Sequence, residues 1–130
     1  MGKTFRQMVA DARGEIGVVS PQDAKREIDK GGATVIDVRE PDEVAESGTV
    51  PGARNIPRGV LEIKADTELP MKDPQLQDRN QKMLIVCGAG GQAALAAKSL
   101  KDMGFTDVSI IDGGMKGWKD AGYETAAPKK

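Results

Sequence analysis

The chain has 130 residues, with 19 basic and 20 acidic side chains, one cysteine and no histidine. One domain of that length buries roughly two-thirds of the surface its unfolded chain exposes. The near-neutral balance gives no broad electrostatic reason to hold nucleic acid or an anionic membrane, a single cysteine closes no internal disulfide, and the lack of histidine removes the commonest general base and metal ligand.

Met1 to Gly14 lacks the uninterrupted apolar core of a signal peptide, and no stretch approaches membrane-spanning length. Cytoplasm is therefore the default expectation, although a chain whose leader had been removed would look the same. Thr4 to Arg13 is expected to be a short helix, with Phe5, Met8, Val9 and Ala12 on one face. Residues 1–16 thus read as an accessory helix that packs on the main domain, the alternative being a partner surface. Gly17 to Val19 follow as a short strand. Ser20 suits an N-cap, Pro21 the first helical position, and Gly31 with Gly32 the stop.

Ala33 to Val38 is nearly continuous in apolar side chains, the pattern of a strand covered on both faces. Pro41 starts a short helix through Glu46. "GTVPGARNIP" is turn-rich with one short strand at Ala53 to Ile56, and Gly59 to Lys64 reads as another helix. The polar, proline-punctuated run from Lys64 to Lys82 is the least regular part. Met83 to Val86 make an interior strand, Gln92 to Met103 a helix, Val108 to Ile111 a last strand and Met115 to Ala121 a last helix. Residues 125–130 read as a flexible tail, leaving 17–124 as the main domain. Alternating strands and helices imply an α/β fold, a single domain with a mainly parallel sheet and helices on both faces. Ligand sites in such sheets lie beyond the carboxyl ends of the strands. Cys87 is at such an end.

The loop "CGAGGQA" has two readings. Gly88, Gly90 and Ala93 satisfy G-x-G-x-x-G/A between a strand and a helix, with Asp112 spaced as a ribose-binding acid; this is the dinucleotide-binding alternative. That fingerprint normally opens its domain, whereas here about two-thirds of the chain precedes it. In the second reading the loop amides and the start of the following helix form an anion cradle that favours thiolate over thiol at Cys87. The bland alternative is a small buried side chain at a strand end.

"VIDVREPDEVAESGTVPGARNIP", the Cys87 loop and "VSIIDGGMKGWKDAGY" together resemble the rhodanese family of sulfurtransferases. The likeness runs from about Val19 to Tyr123 in the family's order and spacing. It implies a rhodanese-like fold of the single-domain type. It also implies that Cys87 accepts a sulfane sulfur from thiosulfate or a persulfide-bearing partner, then passes it to cyanide or a thiol. Gly88, Ala89, Gly90, Gly91 and Gln92 match the loop around the nucleophile. Asp37 and Arg39 match the acid and base of the "DVRE" strand end, and Trp118 the aromatic near the chain end.

The departures concern charge. Active loops of this family often carry arginine directly after the cysteine and at the last loop position; here those places hold Gly88 and Gln92. The turn usually written with a histidine before "IPGA" here reads Thr49-Val50-Pro51-Gly52-Ala53. The loop from Cys87 to Gln92 is six residues, one shorter than in the related phosphatases, which clamp phosphate with arginine. Thiosulfate transfer is accordingly expected to be weak. Arg54 and Arg58, flanking "NIP", are the candidates for attracting an anionic donor, with plain solvation as the alternative. Asp37 and Arg39, two apart on an extended strand, read foremost as structural braces of the rim. Met115 and Trp118 share a helical face and read first as core and second as pocket wall. No cofactor and no metal are expected, since the acids are scattered. Two further alternatives remain: a persulfide carrier or sensor, and a non-catalytic interaction module of the same fold.

Overall fold

Cap residues and prolines set where the helices begin. The computed structural model describes residues 2–89 and 91–129. Helix α1 spans Phe5–Arg13, with Thr4 and Gln7 forming a reciprocal capping box that satisfies two backbone donors at the helix start. Strand β1, Gly17–Val19, leads into α2, Pro21–Asp29, where the Ser20 side chain accepts from the Asp23 amide and Pro21 occupies the first turn. Strand β2, Ala33–Asp37, is followed by α3, Pro41–Ser47. The edge strand β3 is only Arg54–Asn55. After it come a 3-10 turn at Arg58–Val60 and α4, Leu61–Ala65. Strand β4, Lys82–Val86, precedes α5, Gly91–Asp102; β5, Asp107–Ile111, precedes α6, Gly114–Asp120.

The five strands form one sheet in the order β1-β5-β4-β2-β3, parallel at every pairing. Side-chain alternation divides its apolar residues between two layers. Ile36, Met83, Ile85 and Ile110 face α1, α4 and α5 with Ala12, Leu61 and Ala96, while Val35, Leu84, Val86 and Ile111 face α2 and α6 with Ala24 and Trp118. This is the expected α/β architecture with helices on both faces.

From β2 the chain moves outward to β3, then returns to β4 and continues the other way to β5. The reversal leaves a crevice between the carboxyl ends of β2 and β4, the place where open α/β sheets bind ligands. Asp37 lies in register with Val86, and the Val38 amide donates to the Val86 carbonyl at 2.9 Å. Val38 and Cys87 therefore leave the sheet side by side.

One expectation is corrected. Residues 125–129 are not frayed. Thr49 and Ala126 exchange backbone hydrogen bonds at 2.8 and 2.9 Å, and the Lys129 amide donates to Ala53 at 2.8 Å, because the open edge beside β3 offers backbone partners. The polar run after α4 is the least regular part, as expected, with only a 3-10 turn at Pro74–Leu76, yet it is firmly tied down. Leu76 is fully buried in the core. The Arg79 guanidinium donates to the carbonyls of Ala65, Leu76 and Met103 at 2.7 to 3.1 Å and stacks on Phe105. One arginine ties the end of α4, the 3-10 turn and the residue after α5 together, which a reading of apolar periodicity does not register.

Candidate active site

Cys87 follows β4 directly and is 3% exposed. Its Sγ accepts from the Ala93 amide in the first turn of α5 at 3.4 Å. Amides in that turn have no partner within the helix, so they are available to a sulfur at the strand end. The next element supports the loop from behind. The Met115 amide donates to the Cys87 carbonyl at 2.7 Å and the Lys116 amide to the Gly88 carbonyl at 3.1 Å. Glycines permit this approach: Gly114 has φ +59°, and a Cβ there would stand 2.4 Å from the Cys87 carbonyl oxygen. The "DGG" segment thus serves to seat the start of α6 under the Cys87 loop.

A cavity of about 330 Å³ opens onto Cys87. Gly88, Ala89, Gly91 and the exposed Gln92 form one side; Val38, Arg39 and Glu40 follow β2, Glu43 comes from α3 and Arg58 follows β3. Phe5 of α1 completes the wall. Its ring rests where a Cβ on Gly91 would be, 2.9 Å away. Gly90 lies outside the described residues.

Asp37 and Arg39 form the buried brace beneath this rim, with side chains 0% and 8% exposed. The Asp37 carboxylate accepts from Nε and Nη2 of Arg39, from the Arg39 amide, and from the Thr49 hydroxyl at 2.7 Å. Arg39 also donates to Ser47 and to the Gly48 carbonyl at 2.8 and 2.7 Å. Thr49 therefore completes the carboxylate's partners. Arg58 reaches the cavity with its charge matched: Nη1 donates to both Glu62 oxygens at 2.7 and 2.8 Å, and Nη2 donates to Ser99. Burial pushes the Glu62 carboxyl up, but the bonds from Arg58, its own backbone and Ser99 outweigh this and hold it below its ordinary 4.5.

The family model for the rhodanese-like domain matches residues 20–121. The thiosulfate sulfurtransferase GlpE of Pseudomonas putida is 31% identical over 101 residues, covering 78% of this chain and 83% of that protein. YrkF, a proposed sulfur carrier protein of Bacillus subtilis, is 33% identical over 84 residues, covering 65% of this chain but only 40% of its relative. A solved structure from Rhodopseudomonas palustris CGA009, a protein of unknown function described as a possible tyrosine phosphatase, superposes with TM-score 0.91 at 31% identity, covering 97% of this chain and 96% of that one. The chain belongs to the rhodanese-like family.

Membership puts it in a superfamily of sulfurtransferases, and the sheet agrees. Among the described residues β5 is the one strand after the glycine loop, so the order here is not the six-stranded dinucleotide platform. Asp112, weighed as a ribose ligand, instead faces Arg13 of α1 at 3.4 Å. No helix among the described residues is long and apolar enough to cross a membrane.

This rhodanese-like domain does not bring every expected residue to the cavity. Arg54 is not among the residues that line it. Its guanidinium is paired with Asp73 instead, since the short β3 turns that side chain toward the 3-10 turn at Pro74–Leu76. Trp118 is 1% exposed in the opposite layer, donates from Nε1 to the Glu124 carbonyl at 2.8 Å and packs on Tyr123. It is core and does not line the Cys87 cavity, although it edges a smaller hollow in its own layer. Sequence reasoning passed over Phe5, Glu40 and Glu43 as lining residues. For the two glutamates a signal existed, because they occupy the end of β2 and the first turn of α3, which the switch-point rule places over the crevice.

Proposed function

We propose that the chain is a sulfurtransferase that works through a persulfide on Cys87. The observation that supports this is the position of the Cys87 sulfur: at the floor of the crevice between β2 and β4, touched by the Ala93 amide and open to the cavity. In the first half-reaction the Cys87 thiolate attacks the outer sulfur of the donor. A new S–S bond forms, the donor's own bond to that sulfur breaks, and with thiosulfate the electron pair leaves as sulfite. In the second, cyanide or a thiolate attacks the terminal sulfur and returns the electron pair to Cys87. Neither step demands a proton shuttle, so a site without histidine suits it. Amides fixed toward developing negative charge contribute on the order of 2–4 kcal/mol each in comparable sites.

A phosphatase reading is less well supported, because the loop from Gly88 to Gln92 holds no arginine to clamp phosphate. The donor is a small sulfane-sulfur compound or a persulfide-bearing protein, with thiosulfate a weak substrate. Intact mass measurement after exposure to thiosulfate, and separately to a persulfide donor, tests the reading. The expected result is a gain of one sulfur mass that cyanide or thiol removes and that Cys87→Ser abolishes. Full transfer by Cys87→Ser overturns it. Loading from a persulfide donor without turnover identifies the persulfide carrier, and no loading from either donor identifies a non-catalytic module.

A further inference from the structure

The charges around the cavity are not balanced. Both arginines that line it are already matched by their own carboxylates, Arg39 by Asp37 and Arg58 by Glu62. Glu40 and Glu43 also line it, and among the described residues neither carboxylate has an ion-pair partner. The loop itself adds no charge from Gly88 to Gln92. An anion approaching Cys87 therefore meets two uncompensated negative groups, and a cation meets two favourable ones. Val38 and the Phe5 ring are also in the wall, and an aromatic ring attracts a cation that reaches its face. A cavity of about 330 Å³ suits a small molecule.

We infer, on the basis of the sulfur-transfer reading, that Glu40, Glu43 and Phe5 select a low-molecular-weight thiol or persulfide bearing an ammonium group beside its sulfur. With such an acceptor, the aminothiolate attacks the outer sulfur of the Cys87 persulfide. One S–S bond forms, the bond to the Cys87 sulfur breaks, and its electron pair restores the Cys87 thiolate. The product is the aminothiol persulfide. The ammonium group is attracted by the two carboxylates that line the cavity and offsets the negative charge that both reacting sulfurs bring.

Cys87 is the only cysteine in the chain, so thiol reagents report on this one position. Aminoethyl, methyl and sulfonatoethyl methanethiosulfonate present a cationic, a neutral and an anionic group to the same chemistry: the thiolate attacks the sulfenyl sulfur and methanesulfinate leaves. Rates are normalised to those with mercaptoethanol. At low ionic strength the cationic reagent is expected to outpace the anionic one by about tenfold, falling to within about twofold in the double variant Glu40→Gln, Glu43→Gln. Phe5→Leu, which keeps an apolar group against Gly91, is expected to lower the cationic-to-neutral ratio by about twofold. Protein preloaded with sulfur is then discharged by cysteamine, mercaptoethanol or mercaptopropionate at equal thiolate concentration, with cysteamine expected to be fastest. Equal labelling by all three reagents, or a ratio unmoved in the double variant, overturns the inference. Charge-selective labelling of a Cys87 that never acquires sulfur overturns the sulfur-transfer reading instead, and the acceptor assignment falls with it. Thermal melts confirm that the variants, all changed at exposed side chains, are folded.

Discussion

The Met115 amide lies 2.7 Å from the Cys87 carbonyl oxygen, so α6 holds the backbone of the loop that begins at Cys87. Gly114→Ala tests this support. Its φ of +59° disfavours any side chain, and the new Cβ would collide with the Cys87 carbonyl at 2.4 Å. The expected loss is about 2 kcal/mol or more, accompanied by slower reaction of Cys87 with a neutral alkylating agent. Chemical denaturation and alkylation rates together check it; unchanged alkylation in a destabilised variant would mean that α6 supports the fold but not the loop.

Asp37→Asn leaves the Arg39 guanidinium buried beside a neutral amide. Removing one partner of a buried pair typically costs about 3–5 kcal/mol, and the same carboxylate also holds the Thr49 hydroxyl. Arg39→Lys is expected to recover only part of that loss, since an ammonium group cannot reproduce the donors now shared among Asp37, Ser47 and Gly48. Urea melts of both variants measure it. A variant with near wild-type stability and lost activity would reassign the pair from bracing to chemistry.

Trp118→Ala removes a fully buried side chain and is expected to cost about 3–5 kcal/mol. Because Trp118 packs in the layer away from the cavity, Cys87 alkylation at a temperature where the variant is folded should be close to wild type. Calorimetry and labelling make the comparison.

The strands, the capped helices and the position of Cys87 at a carboxyl end were legible because each is written in local chemistry: apolar runs, Ser20-Pro21, Glu40-Pro41, and glycines at turns. The rhodanese-like pattern added the proposal that Cys87 is the nucleophile. What local chemistry does not encode is which long side chains find each other. Arg54 and Arg58 look alike in "ARNIPR", yet one is drawn to Asp73 and the other to the cavity edge beside Glu62. The paired C-terminal segment is illegible for a similar reason, since its partners Thr49 and Ala53 lie more than half a chain away. Phe5 belongs to the same class: α1 packs on α5, and only that packing carries its ring to Gly91.

Asp73 ties the segment after α4 to the β3 edge. Burial alone would push its carboxyl up, but bonds from Arg54 and from the Gln75 amide hold it below the ordinary 3.8. A carboxyl whose folded value is depressed contributes stability that is complete above its unfolded value and is lost as pH falls through the folded one. Wild type should therefore exceed Asp73→Asn in stability at neutral pH, and the two curves should converge below about pH 4. Parallel curves down to pH 2 would show that the carboxylate is not what Arg54 holds.

Gln92 stands exposed on the cavity side of the loop, at the position where related loops often carry arginine. Thiosulfate brings two negative charges toward the Cys87 thiolate, and the cavity adds Glu40 and Glu43 without an unmatched cation. Weak thiosulfate use with a high KM is the expected baseline. Gln92→Arg supplies the missing positive charge, and its effect on a dianion should be on the order of tenfold in kcat/KM at low ionic strength. The gain should shrink as salt is raised, because the group is exposed and screened over about 8 Å at physiological strength. Alkylation by neutral iodoacetamide senses only the thiolate and should change much less. The two rates measured at one pH separate the causes. A gain confined to thiosulfate means that the arginine binds the donor. Equal acceleration of both means that it acts by favouring the thiolate, and the account of weak donor binding is then wrong.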